Sequence, residues 1–239
     1  KDRVIGYRNF ITKISNANNF LKLNQCIYAK NFNIKKINLK VNQWIYAEFK
    51  KTVDLADKHI QDFRFDEASR VIYNFVWGSY CDWYLEFLKP IFNSKNKTIQ
   101  KEASSFSSYM FMNILKLLHP FIPFFTEYMW QDNKFNKLSK TDLITSDWPN
   151  PRKILYFNKS LNEIESLIEI ITSIRSTKVQ LNIPSKEYCD IIYFNESRKS
   201  KKIIDDNLDI IKQVGRVTNA VKKTKLIMNI IQIVVLNEK

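Results

Sequence analysis

Glycine, histidine and cysteine are scarce in this sequence of 239 residues, and each shortage excludes a class of site. Three separate glycines cannot form the glycine-rich loop that cradles a nucleotide phosphate. Three cysteines, odd in number and far apart, with two histidines, argue against both a disulfide framework and a zinc site. No pairing of nucleophile and base can be named, so the sequence gives little support for an independent hydrolase or transferase.

Long apolar runs are also missing, so no segment reaches the roughly 20 residues of a membrane span. The first residues, Lys1–Gly6, have no signal-peptide pattern and no initiator Met. Apolar residues make up 45% of the chain, and few glycines and prolines interrupt them, which favours helix. We therefore expect a soluble, mostly helical, cytoplasmic chain that is a piece of something longer.

Acidic residues are absent from one long stretch, between Asp2 and Glu48. The whole chain has a net charge of +14, which favours a polyanionic partner, although an AT-rich coding bias toward lysine would explain part of that total. A uniform bias does not remove acids from 45 consecutive residues. Basic side chains alternate with aromatic ones there, and this mixture suits phosphates and unpaired bases. We therefore predict an RNA-facing surface.

The apolar residues of positions 1–132 repeat every three or four residues, the period of amphipathic helices. We predict helices over 4–23, 41–62, 64–89 (stopped by Pro90), 98–118 and 123–130, with a basic connection over 24–40. Together these helices form an antiparallel α-helical bundle over 1–132.

The character of the sequence changes after this bundle. Residues 133–157 contain Trp148-Pro149-Asn150-Pro151 and are predicted to be a linker. We predict a small α+β subdomain over 158–239, with helices over 161–178 and 200–214 and strands over 188–194 and 230–236. The predicted fold class is mainly α, a helical bundle followed by this small subdomain.

Several conspicuous side chains have simpler structural than catalytic explanations. His119 precedes Pro120 and is predicted to cap a helix end. Asp82 lies in a strongly apolar helix, where burying a charge is costly unless it is paired, so we predict a structural ion pair or a buried hydrogen bond, with Arg64 or Arg70 as candidate partners. Four tryptophans fit core positions of helices: Trp44, Trp77, Trp83 and Trp130.

Six stretches carry a family resemblance. They are YRNFITKISNANNF from Tyr7 to Phe20, Asn42-Gln43-Trp44-Ile45, Arg64-Phe65-Asp66-Glu67-Ala68, Cys81-Asp82-Trp83-Tyr84-Leu85-Glu86, His119-Pro120-Phe121-Ile122-Pro123-Phe124 and Asp147-Trp148-Pro149. In this order they resemble the anticodon-binding half of class I aminoacyl-tRNA synthetases, most closely the valine–tRNA ligases. The Cys81 and His119 stretches favour the valyl over the isoleucyl relatives.

This resemblance implies that the chain binds the anticodon stem-loop of tRNA-Val. It also implies that the chain alone is inactive, because ATP, Mg²⁺ and the ligase chemistry belong to a missing catalytic domain of a monomeric parent enzyme. The fragment itself is expected to hold no cofactor or metal. Candidate tRNA contacts are Arg8, Lys13, Asn16, Asn19, Phe20, Lys35 and Lys36.

Two alternatives remain open from the sequence. One is the same module of an isoleucine–tRNA ligase. The other is a non-catalytic helical domain that binds RNA or protein.

Overall fold

The computed structural model describes residues 2–29, 32–155, 157–193 and 197–223, and most of them are helical, as predicted. The helices are α1 (Asp2–Leu23), α2 (Lys40–Gln61), α3 (Phe65–Asn74), a π-helical segment (Phe75–Tyr84), α4 (Leu85–Asn93), α5 (Lys97–Leu118), α6 (Pro123–Asp132), α7 (Phe135–Ser139), α8 (Asn158–Gln180), α9 (Arg198–Asp206) and α10 (Leu208–Gly215). The strands are β1 (Cys189–Tyr193) and β2 (Val217–Lys222). Short 3₁₀ turns lie at Ile34–Lys36, Leu143–Thr145 and Pro151–Lys153.

The chain divides into two compact units, Lys1–Leu161 and Asn162–Lys239. This division reports where contacts concentrate. The domain boundaries predicted from the sequence remain a prediction, since testing them requires each piece to be folded separately.

The first unit is built from four long helical rods, α1, α2, the continuous run α3–π–α4, and α5. Phe20 packs on Phe92 near the carboxyl ends of the first and third rods, with ring centroids 6.0 Å apart, so these rods run in the same direction. Tyr46 packs on Phe106 with centroids 5.9 Å apart, so α2 and α5 run together in the other direction. The rods therefore alternate up and down, which confirms the predicted antiparallel bundle.

The core of this unit is aromatic. Its largest fully buried side chains include Trp130, Tyr46, Tyr80, Tyr84, Phe49, Phe87, Phe106 and Phe111. Burying such a side chain stabilises the fold by about 1.5–3 kcal/mol, so these rings dominate the packing. Trp44 and Trp130 lie in the core as predicted, whereas Trp77 and Trp83 are only half-buried.

The third rod does not stop at Pro90, as the sequence predicted, but continues for three more residues. Proline has no N–H to donate to the carbonyl of Glu86, one turn earlier. Leu88 and Ile91 on either side are buried in the core. Their packing holds the backbone helical despite the missing hydrogen bond.

The ion pair predicted for Asp82 exists, but its partner and its surroundings differ from the prediction. Asp82 pairs with Lys13 of α1. Arg64 and Arg70 both pair with Glu67 instead, within their own helix. The Asp82 side chain is 45% exposed, so the pair joins two rods at the surface rather than in the core.

His119 caps the carboxyl end of α5, as predicted. Its Nδ1 lies 2.8 Å from the hydroxyl of the buried Thr126, one turn into α6. The residues between these two helices therefore form a fixed corner, and His119 has a structural role there.

The second unit contains a two-stranded parallel sheet, in which Cys189 of β1 lies opposite Val217 of β2 and the register then shifts by one residue, so that Ile191 lies opposite Ala220. Parallel strands need a crossover connection, and α9 and α10 provide it. The buried ammonium of Lys178 donates to the carbonyls of Glu187 (2.8 Å) and Arg216 (2.9 Å), which lie next to the starts of both strands. One lysine thus ties both strands to α8.

Two predictions for this unit are corrected. The helix predicted over 200–214 is two helices, because the buried Asn207 turns its side-chain amide onto the carbonyl of Ile203 (2.8 Å) and breaks the run. Strand β2 was not predicted, since Val217 is its only buried side chain. The strand predicted over 230–236 lies outside the described residues.

Candidate nucleic-acid interface

Helix α1 has one buried and one exposed face, as its three-and-four spacing requires. Four apolar side chains point into the bundle: Phe10, Ile14, Ala17 and Leu21. A second series, spaced by four, four, three and four residues, follows the exposed face: Arg8, Thr12, Asn16, Asn19 and Leu23. Three of the predicted contacts, Arg8, Asn16 and Asn19, therefore lie on this one exposed stripe and span about 16 Å of it, at 1.5 Å per residue.

Lys13 points away from this stripe and is already engaged. Its ammonium pairs with Asp82 and lies 4.2 Å from the ring centroid of Trp77. The carboxylate neutralises the lysine charge, and the ring covers one side of it. Of the seven predicted contacts, Lys13 is the least available to a phosphate.

Phe20 occupies a boundary position, half-buried against Phe92. The two rings are inclined at 51°. Phe20 therefore contributes to the packing between α1 and α4, and only part of its ring faces outward.

The basic connection leads from α1 to α2 and carries the other two predicted contacts. Lys35 and Lys36 are exposed on a 3₁₀ turn. The side chain of Asn33 caps this turn by accepting a hydrogen bond from the backbone N–H of Lys35 (2.9 Å). The cap holds the two lysines side by side.

Aromatic side chains of the connection pack onto α5. Tyr28 lies on Tyr109, with centroids 5.5 Å apart, and Phe32 meets Phe106 edge-on at 6.5 Å. Burial, with a smaller contribution from Tyr109, raises the pKa of Tyr28, so its phenol is neutral at physiological pH. These rings hold the connection on the bundle and are only partly accessible for stacking on bases.

The same end of the bundle, which we call the connection end, holds the amino termini of both α2 and α5. Helix amino termini carry positive partial charge, which adds to the field of Lys35 and Lys36. The sequence analysis missed two apolar side chains there, Leu23 (83% exposed) and Ile27 (69% exposed). Leu23 was detectable, because it falls four residues after Asn19 on the exposed stripe.

A polar network fixes the carboxyl end of α1. The amide of the buried Asn18 donates to Asp132 (3.1 Å), and the amide of Asn133 donates to Asn18 (2.8 Å). Lys22 also pairs with Asp132. The exposed stripe therefore belongs to a helix that is held firmly against α6.

A cleft of about 570 Å³ lies at the opposite end of the bundle, which we call the cleft end. It is lined by Asp57, Ile60, Gln61, Phe65, Pro120, Phe121 and Trp148. The indole N–H of Trp148 donates to Asp57 (2.6 Å) and thereby anchors the segment after α7 to α2. Burial raises the pKa of Asp57, while the hydrogen bond from Trp148 lowers it.

Neither a metal-binding cluster nor a glycine-rich phosphate loop is found in the described residues. Within the described ranges, no group of three or more His, Cys, Asp or Glu side chains could hold a metal ion. Gly6 and Gly78 lie inside helices and Gly215 ends one, so these three glycines form no phosphate-binding loop. No helix in the described part is at once long and apolar enough to cross a membrane.

Comparison with known proteins finds one family over most of this chain. Residues 42–193 match the model of the family described as the anticodon-binding domain of tRNA ligase. This match begins after α1 and the connection, so all seven predicted contacts lie outside it.

Similar proteins match a larger share of the chain. Valine–tRNA ligase of Pelagibacter ubique is 40% identical over 223 residues, which is 93% of this chain and 25% of that protein. The enzymes of that name from Rhizobium meliloti and Bartonella quintana are 34% and 33% identical over 91% and 90% of this chain, and 23% and 24% of their own lengths. The chain thus spans about a quarter of the relatives that it matches. It belongs to the family of anticodon-binding domains of tRNA ligases.

Proposed function

We propose that this chain recognises the anticodon stem-loop of tRNA-Val through the exposed stripe of α1 and the basic connection. The observation that carries the proposal is the arrangement of cations. Arg8, Lys35 and Lys36 are exposed and form no ion pair with any described residue, whereas Lys13 and Lys22 are neutralised by carboxylates. The relatives named valine–tRNA ligase support the choice of tRNA.

The three cations have a different role from the amides between them. Lysine and arginine neutralise backbone phosphates, which contributes affinity without sequence information. Asn16 and Asn19 carry both a donor and an acceptor, so their amides can hydrogen-bond the edges of unpaired loop bases. The stripe thus combines positioning and base readout on one helix face.

We infer that this chain is part of a longer protein, whose remaining polypeptide binds ATP and Mg²⁺ and attaches valine to tRNA-Val in the cytoplasm as a monomeric ligase. This chain alone then forms no aminoacyl-tRNA. A charging assay with valine, ATP and tRNA-Val tests this directly, and any product above background contradicts it.

The recognition role is tested by equilibrium binding of the chain to a tRNA-Val transcript, an anticodon-substituted copy and tRNA-Ile, each at two salt concentrations. We expect the valine anticodon to be preferred by about 1–3 kcal/mol, the value of stacking one base. A preference for tRNA-Ile supports the isoleucyl alternative. Weak, salt-sensitive and equal binding to all three RNAs refutes anticodon recognition and supports a protein-binding role.

A further inference from the structure

Both ends of the basic connection are attached to one short stretch of α5. At the first end, the hydroxyl of Ser104 donates to the carbonyl of Gln25 (3.3 Å) and accepts from the backbone N–H of Ile27 (3.2 Å). Ser104 therefore fixes the point where the chain leaves α1.

At the second end, the carboxylate of Glu102 anchors the backbone just before α2. Leu39, the residue before α2, provides no side-chain cap. Oε1 of Glu102 accepts from the backbone N–H of Leu39 (2.8 Å) and of Asn38 (3.1 Å), and from the side-chain amide of Asn42 (3.0 Å). One carboxylate from another rod thus ties the two residues before α2 to a side chain in its first turn.

The anchored backbone continues directly into the lysine pair. The amide of Asn38 donates to the carbonyl of Lys36 (3.2 Å), and the Asn33 cap closes the other side of the turn. The side chain of Gln43 donates to the carbonyl of Ile37 (2.8 Å). Glu102, Asn38 and Lys36 therefore form one continuous chain of contacts.

We propose that Glu102 is a positioning residue of the RNA interface, because its carboxylate fixes the backbone at Asn38 and Leu39 and thereby the place where Lys35 and Lys36 meet a phosphate. This inference rests on the proposed function. The negative charge of an acidic side chain at the connection end repels RNA. The hydrogen bonds of Glu102 explain why it lies there, because anchoring the backbone before α2 requires a strong acceptor.

The experiment compares Glu102→Ala with Glu102→Gln, which retains the Oε1 acceptor without the charge. Glu48→Ala is the matched control, since Glu48 pairs with Lys51 within α2 and removing it changes the net charge equally. Hydrogen exchange measures how strongly the backbone amides of Asn38 and Leu39 are protected by Glu102. Binding to tRNA-Val and to its anticodon-substituted copy measures the affinity for each RNA, and urea unfolding shows that each variant is folded.

We expect Glu102→Ala to speed exchange of both amides and to weaken the binding of tRNA-Val and of its anticodon-substituted copy alike, by about fivefold, the effect of losing one hydrogen bond. Both RNAs are affected because Lys35 and Lys36 contact phosphates, which carry no sequence information. Glu102→Gln should keep the slow exchange and should not weaken binding, and Glu48→Ala should preserve both. If Glu102→Ala does not fold, Glu102→Gln decides, because slow amide exchange with unweakened binding agrees with positioning and the loss of either does not.

Two results overturn the proposal. One is unchanged exchange of Asn38 and Leu39 in Glu102→Ala. The other is that both variants bind every RNA more tightly, and equally so, which means that Glu102 acts on RNA only through its charge. Failure of the proposed function is separate, because it is seen in the unmodified chain as equal affinity for both anticodons.

Discussion

Tyr80 and Tyr84, one turn apart in the third rod, differ in the partner of the hydroxyl. Both side chains are fully buried, and their rings stack with centroids 5.6 Å apart. The Tyr84 hydroxyl donates to the side chain of Asn42 (2.8 Å), whereas the Tyr80 hydroxyl has no partner among the described residues. Burial raises the pKa of both phenols, so both hydroxyls are neutral.

We expect Tyr84→Phe to lower the free energy of unfolding by about 1 kcal/mol, because a made hydrogen bond is lost. Tyr80→Phe should leave the stability unchanged or raise it, because it removes a buried polar group that has no partner. Urea unfolding of the two variants measures the difference. Equal losses of stability in the two variants would show that both hydroxyls form hydrogen bonds of similar strength.

Asp57 gives the cleft end a predictable pH dependence. Burial raises its pKa in the folded state, so the folded protein binds this proton more tightly than the unfolded chain does. The contribution of Asp57 is therefore favourable at low pH and is lost as the pH rises through the folded pKa. An amide at this position keeps an acceptor for the indole of Trp148 and carries no charge.

We expect the stability of Asp57→Asn relative to the unmodified chain to increase between about pH 4 and pH 7, the direction that linkage requires. Unfolding at both pH values measures it. Asp62→Asn is the control, since it makes the same change of charge at an exposed position of the same end. A relative stability that is flat or falls with pH contradicts the burial of Asp57.

The sequence predicted that Asp82 has a partner but named the wrong residues, Arg64 and Arg70. Lys13 is 69 residues away from Asp82 and approaches it only after two rods have packed side by side. The sequence around Asp82 shows that its charge needs a partner. Which residue pairs with it depends on how the rods pack.

The helices themselves were well predicted. α1, α2 and α5 each lie within two residues of the predicted bounds at both ends, because their apolar spacing is sustained over many turns. The predicted bounds are wrong at two places, where the effect of one residue depends on its contacts in the folded chain. Core packing overrides Pro90, and the side chain of Asn207 breaks a helix that the apolar pattern continues.

The π-helical segment raises the question of why it contains Gly78. A Cβ added at Gly78 would meet nothing within 4 Å, and the same holds for Gly6 in α1. Space is therefore no reason for either glycine. Helical glycine costs about 1 kcal/mol relative to alanine, chiefly through backbone entropy.

We expect Gly78→Ala and Gly6→Ala each to raise the free energy of unfolding by about 0.5–1 kcal/mol. Gly6→Ala calibrates the gain in an ordinary α-helix. Thermal and urea unfolding compare the two, and a loss at Gly78 with a gain at Gly6 would mean that the wider helix itself requires glycine.

The chain carries +14, yet the position of each charge matters more than the sum. Two pairs of adjacent exposed lysines allow a direct comparison: Lys35 with Lys36 in the connection, and Lys201 with Lys202 in α9. Replacing either pair by glutamine lowers the net charge equally. The two double variants therefore separate a local RNA interface from a general attraction.

We expect the Lys35→Gln, Lys36→Gln variant to weaken tRNA binding and to reduce the magnitude of the log–log salt slope by about 1.4, at 0.7 per single-strand phosphate contact. The Lys201→Gln, Lys202→Gln variant should change both much less. Equal effects of the two variants would mean that net charge alone attracts the RNA.

The candidate site was predictable only in part, for a geometric reason. The exposed stripe of α1 follows from helical spacing, so Arg8, Asn16 and Asn19 could be placed on one face. Glu102 carries no local signal, because its role depends on contacts with residues 60 to 64 positions earlier. Residues that bind RNA reveal themselves by charge, whereas residues that hold them in place do not.

The network that fixes α1 also determines when this helix can fold. Its partners Asp82 and Asp132 follow 69 to 114 residues later in the chain, whereas α2 and α3 are joined by a short turn. Contacts between neighbouring helices form quickly, and contacts across long loops form late. Helix α1 is therefore synthesised before Asp82 and Asp132 and is fixed in place only after they follow, so its exposed stripe is not held against the bundle until α6 has been synthesised.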